Sequence, residues 1–120
     1  MVVEDAKHNK DWRANVALVA SEAMKGREVF SSPVALRVDF IMPRPKNHYG
    51  KKGLKTKAPQ AHSSRPDLTK LTRCLEDALT GIVWTDDALI HSQVLRKRYT
   101  LNANDCVGAL IDVSQLIITT

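Results

Sequence analysis

Apolar residues recur at helical spacing in two stretches and alternate in a third, and these stretches frame the chain. Trp12, Val16, Val19, Ala20, Ala23 and Met24 return with a period of about 3.6 residues, which predicts a helix over residues 10 to 25. Arg13, Asn15, Glu22 and Lys25 fall mostly on its other side, and Gly26 suits its C-terminal stop. After a Ser-Ser-Pro break, VALRVDFI at residues 34 to 41 alternates. Val34, Leu36, Val38 and Phe40 share one face, while Arg37 and Asp39 point away beside Ala35 and Ile41, as in a half-buried strand.

Residues 43 to 66 show no period and are punctuated by proline and glycine, so they read as one long loop. Leu68, Leu71, Cys74, Leu75, Ala78 and Leu79 then form an apolar stripe, predicting a second helix over residues 68 to 80 with Gly81 as its stop. Pro66 biases Arg65 towards extended backbone, so this helix starts no earlier. GIVW and the turn TDD follow. A strand over residues 88 to 100 ends in Arg96, Lys97 and Arg98, and a returning strand covers 106 to 113. The tail QLIITT is β-prone but short. The order of elements predicts an α/β or α+β fold, a small mixed sheet with two main helices.

Composition adds limits. The chain has 120 residues, 43% of them hydrophobic, which suits a single domain over residues 1–120 with one core. A domain of this size buries a modest share of its surface, so a partner subunit would help it. Cys74 and Cys106 are not in C-x-x-C spacing, which argues against a disulfide framework and fits a reducing cytosol. No apolar run reaches the length of a membrane span, and the charged start does not read as a signal peptide. A cytoplasmic protein without a membrane partner is expected.

The net charge of +5 is not spread evenly. The 43–66 loop holds Arg44, Lys46, Lys51, Lys52, Lys55, Lys57 and Arg65 and no acidic residue, so these seven exceed the whole surplus. A solvated loop explains this density less well than binding to a phosphate backbone, with His48 and Tyr49 able to stack on a base or sugar. Arg96, Lys97 and Arg98 extend the candidate DNA contacts.

Candidate chemistry lies in carboxylates. Asp67 stands where the second helix begins. It can be an N-cap, accepting backbone N–H bonds of the first turn, or a metal-binding carboxylate, and one oxygen could do each. Asp86 and Asp87 read either as a polar turn or as part of a divalent-cation site, since magnesium takes hard oxygen ligands. Lys70 and Arg73 share a helix face. They are either solvated, with Arg73 paired to Asp77, or they offset charge on a phosphate. The histidines at 8, 48, 62 and 91 lack ligand spacing, and there is no Gly-rich phosphate loop or nucleophile elbow. No small-molecule cofactor is implied.

RPDLTKLTRCLEDALTGIVWTDDALI resembles the core motif of RusA-type Holliday junction resolvases, endonucleases common in phages and prophages. MPRPKNHYGKKG is similar to the family's basic segment, KDWRANVALVA to its first helix, and RKRY to the end of its strand after the double aspartate. The resemblance implies a homodimeric enzyme of a bacterial cell, dependent on magnesium or on manganese in its place. Such an enzyme resolves four-way and other branched DNA by paired symmetric nicks. It carries catalytic metal-binding roles to Asp67 and Asp87, with Asp86 beside them, and sets Arg73 where members have an essential lysine. Lys70 joins Arg73 as a cation for the phosphate. Many members place a third carboxylate at the position of Thr69, whose hydroxyl brings no charge. Family members also open on an apolar strand that this chain is expected to lack. The alternative expectation is therefore a catalytically impaired junction-binding or assembly module.

Overall fold

The computed structural model describes residues 1–4, 12–102 and 104–115, with the backbone alone for Glu4. His8, the expected helix start at Lys10 and Asp11, and the end of the QLIITT tail lie outside the described residues. In order the elements are β1 (Val2–Glu4), α1 (Trp12–Ala23), β2 (Val34–Met42), β3 (Tyr49–Gly50), β4 (Gly53–Leu54), α2 (Leu68–Leu79), β5 (Ile90–Tyr99) and β6 (Gly108–Gln115). Two single-turn 3₁₀ helices cover Lys46–His48 and Asp87–Leu89.

The fold is α+β. Four strands form one mixed sheet in the order β1-β6-β2-β5, and β3 and β4 form a separate two-stranded sheet. β6 runs antiparallel to both β1 and β2, while β2 and β5 are parallel. Parallel neighbours need a long connection, and here the basic segment and α2 together supply it. The chain does open on a strand, contrary to the expected lack of one. It is only three residues long, too short for any period to show. It pairs Val2 with Leu110 and Val3 with Ala109, and Ile111 donates its N–H to the Met1 carbonyl at 2.7 Å.

β2 is the centre of the core. Val34, Leu36, Val38 and Phe40 are all buried, as their alternation requires. The helices cover that face: Val16 and Ala20 of α1, and Leu75, Ala78 and Leu79 of α2, are buried with them. Trp12 sets its ring 6.3 Å from that of Phe40. Asp39 is buried too, although the alternation faces it away from the helices. Two cations from β5 make this tolerable. Arg96 grips the carboxylate with two bonds of 3.0 and 2.7 Å, and Arg98 lies 3.6 Å from it and 2.7 Å from Asp105. The Arg96 hydrogen bonds hold the Asp39 carboxyl below the usual carboxylate range against the opposing effect of burial. Among the described residues, no helix is long and apolar enough to cross a membrane.

Candidate functional site

The loop read as structureless is built and anchored. After β2, Arg44 turns inward. Its Nε donates to the Thr100 carbonyl and its Nη1 to the Pro59 carbonyl, both at 2.7 Å. Its guanidinium lies 5.2 Å from the Tyr99 ring centre, and Nη1 is 3.3 Å from His48 Nδ1. His48 and His62 each meet Tyr99 edge-on, at 4.8 and 5.0 Å. The end of the loop at residues 60–62 bonds to β5 through His62 N–H to the Lys97 carbonyl and Tyr99 N–H to the Gln60 carbonyl. Between these fixed ends, the β3–β4 hairpin carries Lys51 and Lys52 at its turn.

The cations therefore divide into two groups. Arg44, Arg96, Lys97 and Arg98 are engaged by partners within the chain. Lys46, Lys51, Lys52, Lys55, Lys57 and Arg65 are exposed, and among the described residues none of them forms an ion pair. Tyr49 is 48% exposed and free to stack, but His48 is used on Tyr99.

Lys97 sets the start of α2. Its ammonium donates to the carbonyls of Ser64 and Pro66 at 2.7 and 2.9 Å, which ties the chain just before Asp67 to β5. Asp67 holds the N-cap position, but its carboxylate makes no capping bond. Among the described residues its one ion pair is with Lys70, at 3.8 Å, with both side chains well exposed. Such a pair contributes little to stability. The carboxylate is thus left open to solvent. Thr69 and Arg73 are exposed beside it, and no ion pair joins Arg73 to Asp77 among the described residues.

The double aspartate is positioned by the buried Trp84. Its indole N–H donates to Thr80 Oγ1 at 3.0 Å, and that hydroxyl donates to the Glu76 carbonyl at 2.7 Å. Gly81, at φ +87°, turns the chain between α2 and the tryptophan, a backbone form that glycine adopts without strain. Backbone bonds from Phe30 to Val83 and from Thr85 to Phe30 lock the turn onto the segment before β2. The two aspartates then take different roles. Asp86 Oδ1 accepts from Ala88 N–H at 2.9 Å and caps the short helix. The Asp87 carboxylate has no hydrogen bond or ion pair among the described residues.

Asp87 instead lines an open cleft of about 280 Å³ with Glu76, Ile90, His91, Ser92 and Gln93. Glu76 and Gln93 were not expected from the sequence. The Gln93 side-chain amide donates to Glu76 Oε1 and orients it. Only the packing of α2 along β5 brings these two together, since Glu76 looks like one more solvated residue on the helix.

The structure does not bring Asp67 and Asp87 together within one chain. Asp67 precedes α2 at the level of Lys97, whereas Glu76 meets Gln93 and the Asp87 cleft. The helical rise alone separates the Asp67 and Glu76 backbones by about 13 Å. Accordingly, no group of three or more His, Cys, Asp or Glu side chains among the described residues could hold a metal ion. The donors are chemically suitable for magnesium, being free, exposed carboxylates, but a single chain presents them at two places.

Residues 2–107 match the family described as Endodeoxyribonuclease RusA. A curated relative, the uncharacterized protein YqaN of Bacillus subtilis (strain 168), is 27% identical over 101 residues, covering 82% of this chain and 70% of that protein. No solved structure matches. The family match runs from β1 through the basic segment, α2 and the double aspartate to the end of β5, so it takes in every element that carries the candidate site: the chain belongs to the RusA endodeoxyribonuclease family.

Proposed function

We propose that the protein is a magnesium-dependent endonuclease that binds branched DNA through the 43–66 segment and nicks it as a homodimer. The observation that carries this reading is the contrast among the three aspartates. The cap position leaves the Asp67 carboxylate without a capping bond, and the local capping bond is made by Asp86 and not by Asp87. Asp67 and Asp87 thus remain as carboxylates without a hydrogen bond on ordered elements, and they stand at two of the positions where the family resemblance puts metal-binding carboxylates. Manganese would serve in place of magnesium.

Each group has a role that follows from its position. Asp67 and Asp87 would each offer a carboxylate to a cation at the place where the chain presents it, with the Thr69 hydroxyl next to Asp67 able to bond a water of its shell. When bound, the cation supplies Lewis-acid stabilisation of the phosphodiester. Arg73 and Lys70, exposed on the same helix, attract the phosphate and offset its charge. Arginine keeps that charge but does not serve as a proton donor. Lys46, Lys51, Lys52, Lys55, Lys57 and Arg65 supply backbone contacts with the arms of the junction, and Tyr49 a stacking surface. Two copies related by a two-fold axis present two such sites to a two-fold symmetric junction.

A second reading, a junction-binding module with impaired chemistry, is favoured by Thr69, which leaves the Asp67 end with one carboxylate. A single assay separates the two. The protein and its Asp87→Asn variant are incubated with a labelled synthetic four-way junction and magnesium. Paired nicks from the wild type that disappear in Asp87→Asn, with junction binding kept, support the enzyme. Binding without magnesium-dependent cleavage across several junction sequences assigns the module.

A further inference from the structure

The β3–β4 ribbon brings apolar and cationic side chains to the surface together. Tyr49 and Leu54 are directly paired across its two strands, so their side chains stand side by side on one face. They are 48% and 41% exposed. The preceding residue, His48, turns the other way and sets its ring on Tyr99. Side chains alternate along extended chain, so the Tyr49–Leu54 face looks away from the body of the protein. Towards the tip come Gly50 and Gly53, paired with each other, and then the turn residues Lys51 and Lys52. Gly53, at φ +102°, closes this turn in a form that glycine takes freely. The glycines leave the tip slender, and Tyr49 and Leu54 are the apolar pair nearest its end.

The ribbon does not draw its order from that pair. Its base is held by the Arg44 bonds to Pro59 and Thr100, and Lys55 N–H donates to the His48 carbonyl at 2.9 Å. The pair is framed by Lys46, Lys51, Lys52, Lys55 and Lys57, all exposed and none in an ion pair among the described residues. The surface that complements this arrangement has negative charge outside and flat apolar faces just behind it. Stacked bases behind their phosphates have that form. In an unbroken duplex the base faces are closed by stacking, and opening a step has a cost. At a branch point the stack is already interrupted, so a side chain meets an open base face there most easily.

We propose that the ribbon is a branch-point wedge: Tyr49 stacks on the end base pair of one arm, Leu54 fills the step beside it, and the lysines hold the flanking phosphates. This deepens the reading of the protein as a binder of branched DNA and rests on that reading. The lysines alone hold any DNA, because phosphate contacts are the same on every duplex. The apolar pair is what separates a branch from a straight arm.

The wedge and Asp67 are tied to the same stretch of β5. Arg44 fixes the base of the ribbon to the Thr100 carbonyl, and Lys97 fixes the approach to Asp67 through the Ser64 and Pro66 carbonyls. A branch point held on the ribbon is therefore kept at a set distance from that carboxylate.

The test reads base unstacking without metal. A synthetic four-way junction carries the fluorescent base 2-aminopurine either at the branch point or within an arm, and a duplex of the arm sequence serves as competitor, all in a chelator. The wild type should raise the branch-point fluorescence, leave the arm signal unchanged and prefer the junction to the duplex. Tyr49→Ala with Leu54→Ala should abolish the rise and cut the preference by roughly tenfold, with an unchanged circular dichroism spectrum and salt slope. Tyr49→Phe should keep the rise, since it keeps the ring. Lys51→Ala with Lys52→Ala should weaken junction and duplex binding alike, lower the salt slope and keep the rise at saturation. A wild type that binds without the rise, or a Tyr49→Ala, Leu54→Ala protein that keeps the rise and the preference, would overturn the proposal. Binding to vesicles of phosphatidylcholine and phosphatidylserine that needs Tyr49 and Leu54, with a junction preference that does not, would assign the tip to a membrane surface and overturn it too. Magnesium is then added. A branch-point rise with no magnesium-dependent nick keeps the wedge and ends the nuclease reading, whereas junction nicking with no rise does the reverse.

Discussion

Arg44 belongs to the basic segment by sequence but anchors that segment by its bonds, so its replacement should affect stability rather than direct DNA contact. The guanidinium makes two short bonds to carbonyls that lie far apart in sequence, Pro59 and Thr100. A bond from a charged donor contributes about 1.5–3 kcal/mol, and partial exposure puts these at the lower end, about 3 kcal/mol for the two. Stacking on Tyr99 adds about 0.5 kcal/mol. Arg44→Ala should therefore lower unfolding stability by about 3.5 kcal/mol. Arg44→Lys, with a point charge that reaches one carbonyl, should lose roughly half of that. The comparison protein carries Lys51, Lys52, Lys55 and Lys57 all changed to Ala. Its stability should stay within about 0.5 kcal/mol of wild type, because these side chains are exposed and none forms an ion pair among the described residues. Its junction binding should lose salt dependence, by about 0.9 in slope for each phosphate contact removed. Urea unfolding and a salt titration of junction affinity measure both proteins. An Arg44→Ala protein that unfolds like wild type, or a lysine-free hairpin with an unchanged salt slope, would refute the division of this segment into anchor and contact residues.

Three further outcomes follow from the described contacts. Asp39→Asn should cost about 2–3 kcal/mol by leaving Arg96 and Arg98 without their buried carboxylate; Asp39 and Asp105 both titrate below the usual carboxylate range in the fold, so their contribution is complete above a pH of about 3.9 and fades as pH falls through the lower folded values. Urea melts at descending pH should show a steep acid limb in wild type and a flatter one in Asp39→Asn. His62 is held below the usual imidazole range, first by burial and then by Lys97, and its buried Nδ1 has no hydrogen-bond partner among the described residues. Its stabilising contribution is present above a pH of about 6.5 and lost as pH falls through the folded value, so His62→Gln should remove that slope, and an unaltered pH profile would count against the Tyr99 cluster. Thr69→Asp restores a carboxylate beside Asp67 and should tighten manganese binding in calorimetry by on the order of tenfold, because affinity follows ligand charge; equal affinities would show that position 69 lies outside the metal site.

Much of the framework was legible in the chain itself. Both long helices and the central strand follow from spacing, because each buries one stripe or face and the apolar residues must recur with that element's period. The family was legible as well, since its motif is a run of consecutive residues. Two local readings failed for physical reasons. A three-residue strand has no period to detect, so β1 went unseen. The 43–66 segment looked structureless because its order comes from Arg44, His48 and His62 gathering on Tyr99, a residue more than thirty positions away from the first two.

The candidate site divides in the same way. The sequence by itself determined which residue types carry the chemistry and the concentration of positive charge, because both are properties of composition and order. Only the tertiary structure decided which of them are free. It assigned the local cap to Asp86 and left the Asp67 and Asp87 carboxylates without hydrogen bonds among the described residues, committed Arg44, Arg96 and Arg98 to partners within the chain, and put Glu76 and Gln93 in the Asp87 cleft. It also set the two free aspartates at different ends of α2. Those outcomes depend on how α2 lies along β5, a relation between segments distant in sequence that no local spacing encodes.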